Sequence, residues 1–237
     1  LDIADAGSVT EGTSAAFVVT LSSVSGSNVV VSYTTVDNSA TSADYTPVSS
    51  SVTISAGQTS ATIYVATTDD SLDESDETFS VYLSSATNAW INDAYGVATI
   101  IDNDPSPQVS ISDAGSVAEG SSASFTISLS SVSGKNVTVY YNTLSGTAAS
   151  GDDYSSTSSS VVISAGQTSQ VVEVSTTDDS LDESDESFSV YLSSATNASI
   201  SDYYGEAVII DNDEPPIVNV SIGDAGCVTE GSEASFT

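Results

Sequence analysis

The chain has 237 residues, with 33 Asp or Glu, a single Lys or Arg and no His, which gives a formal net charge of −32. This balance excludes nucleic acid and anionic membranes as partners, because both are bound through patches of Lys and Arg. Without His, and with one Cys at position 227, soft-metal sites and an intrachain disulfide are also excluded. No apolar run could insert into a membrane, no signal peptide occurs and Met is absent, so we expect the interior of a longer protein.

Short runs in which apolar and polar residues alternate follow one another along the chain, and this period of two is typical of β-strands. Gly, Ser and Asn separate the runs, and no stretch has helical periodicity. The pattern predicts an all-β fold of seven-stranded, two-sheet β-sandwiches. In the first hundred residues the runs lie near 17–21, 29–33, 52–54, 61–65, 79–83 and 98–100.

Internal repetition divides the chain, because Asp5-Ala-Gly-Ser-Val-Thr-Glu-Gly12 is closely matched at 113–120 and again at 224–231. The matches predict two full repeats and the start of a third. The third segment carries too few strands to bury its apolar side chains, so we expect it either to fray or to self-associate with a neighbouring molecule. The predicted boundaries are 1–104 and 109–213 for the repeats, 105–108 and 214–217 for stiff proline-containing linkers, and 218–237 for the truncated third repeat.

An acidic string, Thr67-Thr-Asp-Asp-Ser-Leu-Asp-Glu-Ser-Asp-Glu77, returns unchanged at 176–186. Together with acids at other strand ends, it makes eight carboxylates per repeat. Close carboxylates repel by about 4 kcal/mol per pair at an effective dielectric constant near 20, so a converging cluster predicts a bound cation. The eight are Glu11, Asp44, Asp69, Asp70, Glu74, Glu77, Asp102 and Asp104 in the first repeat, and Glu119, Asp153, Asp178, Asp179, Glu183, Glu186, Asp211 and Asp213 in the second.

Oxygen-only ligands favour Ca²⁺, which takes six to eight oxygens, over Mg²⁺, which retains its waters and demands octahedral geometry. The alternative is that acidic loops are simply solvated, as charge runs usually are. Because the same acids recur at the same strand ends, we favour the metal site. We keep the solvated interpretation for four further acids, Asp73, Asp76, Asp93 and Asp202. An EF-hand is excluded, because Glu74 stands where its loop requires Gly.

The combination of Val9-Thr-Glu-Gly12, Ala43-Asp-Tyr45, the acidic string and Ile101-Asp-Asn-Asp104 resembles the Calx-beta repeat across both full repeats and the start of the third. The resemblance implies tandem immunoglobulin-like sandwiches of the Calx-beta type, with calcium held by loops at one tip. It also implies that the carboxylates above are the ligands and that the carbonyl groups of Leu72 and Leu181 complete the shell. Asn103 stands where some relatives carry a third acid, so the number of ions stays open.

Asp102 and Asp104, the last acids of the first repeat, directly precede the linker at 105–108, and this position indicates a function. Calcium there would fix the angle between neighbouring repeats, so we expect a calcium-rigidified segment of an extracellular, cell-surface adhesin, stalk or filament, of microbial type. A calcium-sensing pair in a membrane transporter is the alternative. A glycan-acting enzyme is less favoured, because its paired carboxylates are better explained here as metal ligands. Serine-type catalysis has no support, since there is no His and no evident base beside a Ser. Asn136, Asn197 and Asn219 lie in sequons, to which we give little weight.

Overall fold

Seventeen β-strands and no helix make up the described part of the chain, residues 1–236, in a computed structural model. The first repeat contains β1 (Asp2–Ile3), β2 (Gly7–Thr10), β3 (Ser14–Thr20), β4 (Val29–Asp37), β5 (Ser49–Ile54), β6 (Ser60–Ala66), β7 (Glu77–Ala86) and β8 (Tyr95–Ile101). The second contains β9 (Gln108–Ile111), β10 (Gly115–Ala118), β11 (Ser122–Leu129), β12 (Val137–Ser145), β13 (Ser158–Ile163), β14 (Ser169–Ser175), β15 (Glu186–Ala195), β16 (Ser199–Ile200) and β17 (Tyr204–Ile210).

Each repeat is a sandwich of two sheets, as predicted. In the first repeat the sheet β1-β3-β6 faces the sheet β2-β8-β7-β4-β5, and the second repeats this order as β16-β9-β11-β14 facing β10-β17-β15-β12-β13. The alternation of side chains produces the core directly: Ala15, Phe17 and Val19 of β3 are each fully buried, while the residues between them face outward. An apolar layer therefore lies between the sheets, and the loops are left at the two ends.

The first strand of each repeat changes sheet, which adds one strand to the seven predicted, and the second repeat has one more short strand, β16, paired with β9. β1 pairs antiparallel with β3, whereas β2 pairs parallel with β8 in the opposite sheet. Gly7, at the start of β2, has φ of +73°, a conformation that glycine adopts without a steric penalty. The switch carries the residue after β2, Glu11, to the end of β8, where its backbone N–H donates to the carbonyl of Ile101 at 3.1 Å.

Stacked aromatic rings anchor one loop of each sandwich to the core. Tyr45 is 1% exposed and stacks on Phe79 of β7, with ring centroids 4.3 Å apart. Tyr154 repeats the arrangement on Phe188 at 4.4 Å. Because each tyrosine directly follows an acidic residue, this packing fixes where that acid leaves the core.

Beyond β17 the described residues form no strand. The apolar side chains of this segment stand in solvent, with Ile217 at 89% and Val220 at 91% exposed. Gly231 has a positive φ of +87°, and Gly12 and Gly120, at the matching positions of the two sandwiches, have positive φ of +73° and +71°. This segment, residues 217–236, thus carries the strand pattern of a sandwich without forming one here.

Candidate metal centre

Backbone hydrogen bonds draw three distant segments together at one tip of the first sandwich. The N–H of Thr68 donates to the carbonyl of Asp44 at 2.8 Å, and the N–H of Gly12 donates to the carbonyl of Thr68 at 3.0 Å. The bond from Glu11 to Ile101 adds the end of β8. The acidic loops are therefore positioned by main-chain pairing rather than by their own charged side chains.

Gly12 is required by close approach at this tip. A Cβ atom on Gly12 would stand 2.8 Å from the Cβ of Asp69, and its φ is +73°. Gly120 has the same relation to Asp178, at 2.7 Å with φ of +71°. The Glu-Gly pairs therefore place an acidic side chain and make room for the acidic string beside it.

Two clusters of carboxylates form in the first sandwich. Each cluster offers three oxygen atoms, one per residue, that lie within 4.8 Å of one another. A shared acidic cavity lies against both clusters, and Asp70 also lines it. Each cluster could supply three oxygen ligands to a hard cation. The first cluster is Glu11, Asp102 and Asp104, and the second is Asp44, Glu74 and Glu77.

The second sandwich brings its acids to the corresponding tip with a different grouping. Glu119, Asp179 and Asp213 form the one three-residue cluster found there in the described part of the chain. A cavity beside them is lined by five more acids, Asp152, Asp153, Glu183, Glu186 and Asp211. Asp152 was not among the predicted ligands, because its counterpart in the first repeat is Ala43; its position beside Asp153 was the available signal.

Carboxylate oxygens without any donor show that a cation fits this chemistry. The Oδ2 atoms of Asp104 and Asp213 and the Oε1 atom of Glu119 are buried and have no hydrogen-bond partner. Buried polar atoms are nearly always satisfied, so an unpaired anionic oxygen here needs an explanation. A hard cation supplies one, since the ligand atoms are oxygens and no carboxylate of these clusters is ion-paired with a lysine or arginine among the described residues.

Electrostatic strain in the metal-free protein appears as shifted pKa values. Burial raises the pKa of Glu11 to about 7, and the neighbouring Asp104 and Asp102 add to the rise. Burial likewise raises the pKa of Glu77 to about 7, with Asp44 and Glu74 contributing. These carboxyl groups therefore bind protons near neutral pH unless another cation replaces them.

The pKa values of Glu74 and of the counterparts of Glu11, Glu74 and Glu77 in the second sandwich are raised for the same reason. Burial comes first in raising the pKa of Glu74, followed by the negative charges of Asp44 and Asp70. In the second sandwich the pKa values of Glu119, Glu183 and Glu186 are also raised by burial and by neighbouring aspartates.

The remaining predicted ligands lie nearby but outside the three-residue clusters. Asp69 and Asp178 lie against the glycines described above. The carboxylate of Asp70 accepts the N–H of Leu72 at 2.7 Å, and the carboxylate of Asp179, itself a cluster member, accepts the N–H of Leu181 at 2.7 Å, so that both leucines sit in tight turns beside the cavities. In the second sandwich, Asp153, Glu183, Glu186 and Asp211 line the cavity without joining its cluster.

Asp73 corrects one sequence prediction. We expected it to be solvated, but it is 3% exposed and forms an ion pair with Lys135, whose Nζ lies 2.7 Å from its Oδ1. Ser133 donates to the other carboxylate oxygen at 3.0 Å and Ser106 of the linker donates at 3.1 Å. Burial alone would raise the pKa of Asp73, but these hydrogen bonds and the Lys135 charge lower it. The other three acids, Asp76, Asp93 and Asp202, are exposed as expected.

The ion pair belongs to a junction between the two sandwiches. The turn between β11 and β12 enters the acidic tip, where the N–H of Gly134 donates to the carbonyl of Asp73 at 3.0 Å. Lys135 also donates to the carbonyl of Glu74 at 3.0 Å. A Cβ on Gly134 would stand 2.8 Å from the Glu74 side chain, which would then have to move, so glycine lets the turn approach Glu74 closely. The candidate metal centre of the first sandwich and the junction therefore share one loop.

Fold and site together define a tandem pair of β-sandwiches with acidic tips, the first of which contacts its neighbour. The family model of the Calx-beta domain matches residues 5–106 and 102–214, and the chain therefore belongs to that family. No curated protein sequence matches it significantly.

Solved structures that resemble the chain include three Calx fragments. The crystal structure of CBD12 from CALX1.2 is 16% identical, with 88% of this chain and 100% of that chain covered and a TM-score of 0.41. The calcium binding domain CBD12 of CALX1.1 is 16% identical, with 82% and 81% covered and a TM-score of 0.41. The apo-form Calx CBD1 domain is 20% identical, with 45% and 99% covered and a TM-score of 0.41.

Proposed function

We propose that this chain binds Ca²⁺ at the tip of each sandwich and that the ions stiffen a linear array of repeats. The observation that carries the proposal is the position of the unpaired oxygens of Asp104 and Asp213, each directly before a linker that contains proline. An ion held by Asp102, Asp104 and Glu11 ties the end of β8 to the loop after β2. It therefore fixes the point from which the next sandwich departs.

Such an array fits a segment of a large extracellular adhesin, stalk or filament. The net charge of −32 and the unpaired carboxylates favour a medium rich in divalent cations. No helix within residues 1–236 is long and apolar enough to cross a membrane. The partners in this role are the neighbouring repeats of the same chain, and the carboxylates serve as ligands rather than as catalytic acids and bases.

Calcium titration with small-angle X-ray scattering tests the proposal. We expect calcium to raise the melting temperature and to narrow the distribution of particle dimensions, and a chelator to reverse both. The double variant Asp102→Asn and Asp104→Asn should lose most of the effect at the first tip. Asp93→Asn is the matched control and should behave as the parent does, because Asp93 is exposed and precedes β8, whereas Asp102 and Asp104 follow the other end of that strand. Unchanged dimensions and melting temperature with saturating calcium would contradict the proposal.

A regulatory role is the second candidate, favoured by the direct contact between the first tip and the second sandwich. In a sensor, calcium changes the inter-domain angle over a narrow concentration range, whereas a stalk needs sites that stay filled at extracellular calcium. Isothermal titration separates the two: micromolar affinity with a large change in shape supports a sensor, and weaker affinity with stiffening alone supports the stalk.

A further inference from the structure

The acidic tip of the second sandwich presents the same loop that the first tip uses to bind its neighbour. Residues 176–186 repeat 67–77 letter for letter, so Asp182 is the counterpart of Asp73. Their surroundings differ: Asp73 is 3% exposed and held by Lys135, whereas Asp182 is exposed and has no ion-pair partner among the described residues. Leu181 is 60% exposed, while its counterpart Leu72 is half-buried.

We propose that the exposed loop around Asp182 is a docking surface for a turn with the sequence Ser-Gly-Lys, carried by a third sandwich of the same kind. The chemistry of the occupant follows from the first junction. There the hydroxyl of Ser133 and the ammonium group of Lys135 contact the carboxylate of Asp73. The N–H of Gly134 donates to the carbonyl of Asp73, and a Cβ on this glycine would stand 2.8 Å from the Glu74 side chain. An identical loop presents the same acceptors to a partner.

The chain itself identifies the element that would bring this turn. Residues 224–231 repeat the opening of each sandwich, and Val220 and Ile222 correspond to the buried Val109 and Ile111 of β9 but are exposed. In the second sandwich the Ser-Gly-Lys turn follows this opening by about one further strand. The first repeat carries Ser27 where the second carries Lys135, and Lys135 belongs to the one repeat that contacts a preceding tip within the described residues.

The linker at 214–217 differs from the linker at 105–108, so it does not by itself place a third sandwich against the Asp182 loop. Nine positions separate Asp104 from Asp113, but eleven separate Asp213 from Asp224, and no serine of the second linker corresponds to Ser106. The docked arrangement must therefore be stabilised by the turn and the loop themselves. This inference rests on the proposed array of repeats, but the contact involves lysine and carboxylate and needs no calcium.

A three-sandwich chain tests the docking surface. It consists of residues 1–223 followed by a second copy of residues 113–213, which brings a second copy of Lys135. The original Lys135 is replaced by Gln, so that the copied lysine is the only lysine of the test protein. We expect this lysine to react with an amine-directed reagent several-fold more slowly than Lys135 does in the Asp73→Asn variant of the 237-residue chain. Asp182→Asn should remove the protection, and Asp185→Asn, on the same loop, should retain it.

The result that overturns the inference is a copied lysine that reacts at the unprotected rate whether position 182 is Asp or Asn. Slow reaction of the copied lysine in the presence of chelator shows that the third sandwich docks, even if calcium fails to stiffen the chain. Conversely, calcium stiffening of the 237-residue chain without protection of the copied lysine supports the array function and rejects this surface. Circular dichroism of each variant confirms that the sandwiches are folded.

Discussion

Individual carboxyl groups in the acidic tips are held in an unfavourable state in the absence of metal. Glu11 lies among Asp102 and Asp104, and Glu77 lies among Asp44 and Glu74, with no cationic side chain in contact. The pKa of each glutamate is raised to about 7, because burial and neighbouring negative charge both disfavour its ionised form. Protons and calcium therefore compete for the same oxygens.

The raised pKa values predict how stability depends on pH. In the unfolded chain Glu11 and Glu77 lose their protons near the ordinary value of 4.5, but in the metal-free folded protein they keep them to about 7. The free energy of unfolding therefore falls as pH rises through this window. Calorimetry in chelator should show a melting temperature several degrees higher at about pH 5 than at about pH 8. Calcium should reverse the order, because it binds the ionised groups.

Glu11→Gln together with Glu77→Gln should flatten the pH dependence in chelator, while Glu233→Gln, in the exposed final segment, should leave it unchanged. A double variant with the parent's full pH dependence would show that other acids control it.

Single elements carry the site into position by packing against the core. Asp44 is followed by Tyr45, whose ring is buried on Phe79 and whose hydroxyl donates to Asp37. The backbone of Asp44 is then joined to the acidic string through Thr68. The same chain of contacts links Asp153, Tyr154 and Phe188 in the second sandwich. The loops that carry Asp44 and Asp153 are thus held in place by the stacked aromatic pairs next to them.

Replacing Tyr45 should lower both the free energy of unfolding and the calcium affinity of the first tip. Tyr45→Ala should cost about 3–5 kcal/mol, the range for large aromatic residues lost from a core, and should weaken calcium binding at the first tip. Tyr45→Phe keeps the stack and loses one hydrogen bond, so it should cost about 1 kcal/mol and leave calcium binding intact. Denaturant unfolding and calcium titration measure both effects. Tyr64→Ala, at a residue 67% exposed, is the control, and a loss there equal to that of Tyr45→Ala would refute the anchor role.

At the scale of the whole molecule, one ion pair stands out because the chain has a single basic residue. Lys135 joins the second sandwich to Asp73 of the first, beside the candidate ligand Glu74. Two negatively charged sandwiches would otherwise repel each other. Because Lys135 supplies the one positive side-chain charge at the junction, we expect its contact with Asp73 to fix the relative orientation of the two sandwiches.

Lys135→Gln should loosen the junction. The cost should be below the about 3–5 kcal/mol expected when a fully buried pair loses one partner, because Lys135 is 24% exposed. Small-angle scattering at low salt should show a broader range of dimensions than in the parent protein. Ser27→Gln changes the matching turn of the first sandwich, which contacts no other sandwich within residues 1–236, and should have no effect. Equal dimensions for Lys135→Gln and the parent would mean that the linker alone holds the angle.

Much of the fold could be predicted from local pattern. Alternation of apolar residues predicted the strands and the core, and repetition of Asp-Ala-Gly and of the acidic string predicted a tandem array. The switch of the first strand between sheets was not predicted, because Gly7 marks a turn without showing which sheet receives the next strand. The acids of the candidate site were predicted from their position at strand ends, and Asp152, which occurs in one repeat alone, was not among them.

The sequence by itself determined the composition of the site and the fold that assembles it, because side-chain period and oxygen-only ligands depend on residue type and spacing. Tertiary structure alone decided which acids pair with which. Asp73 and Asp182 occupy identical strings, yet one is buried against Lys135 and the other is exposed. The difference arises from the surface that a neighbouring sandwich presents, which lies sixty positions away in the chain and is invisible to any local pattern.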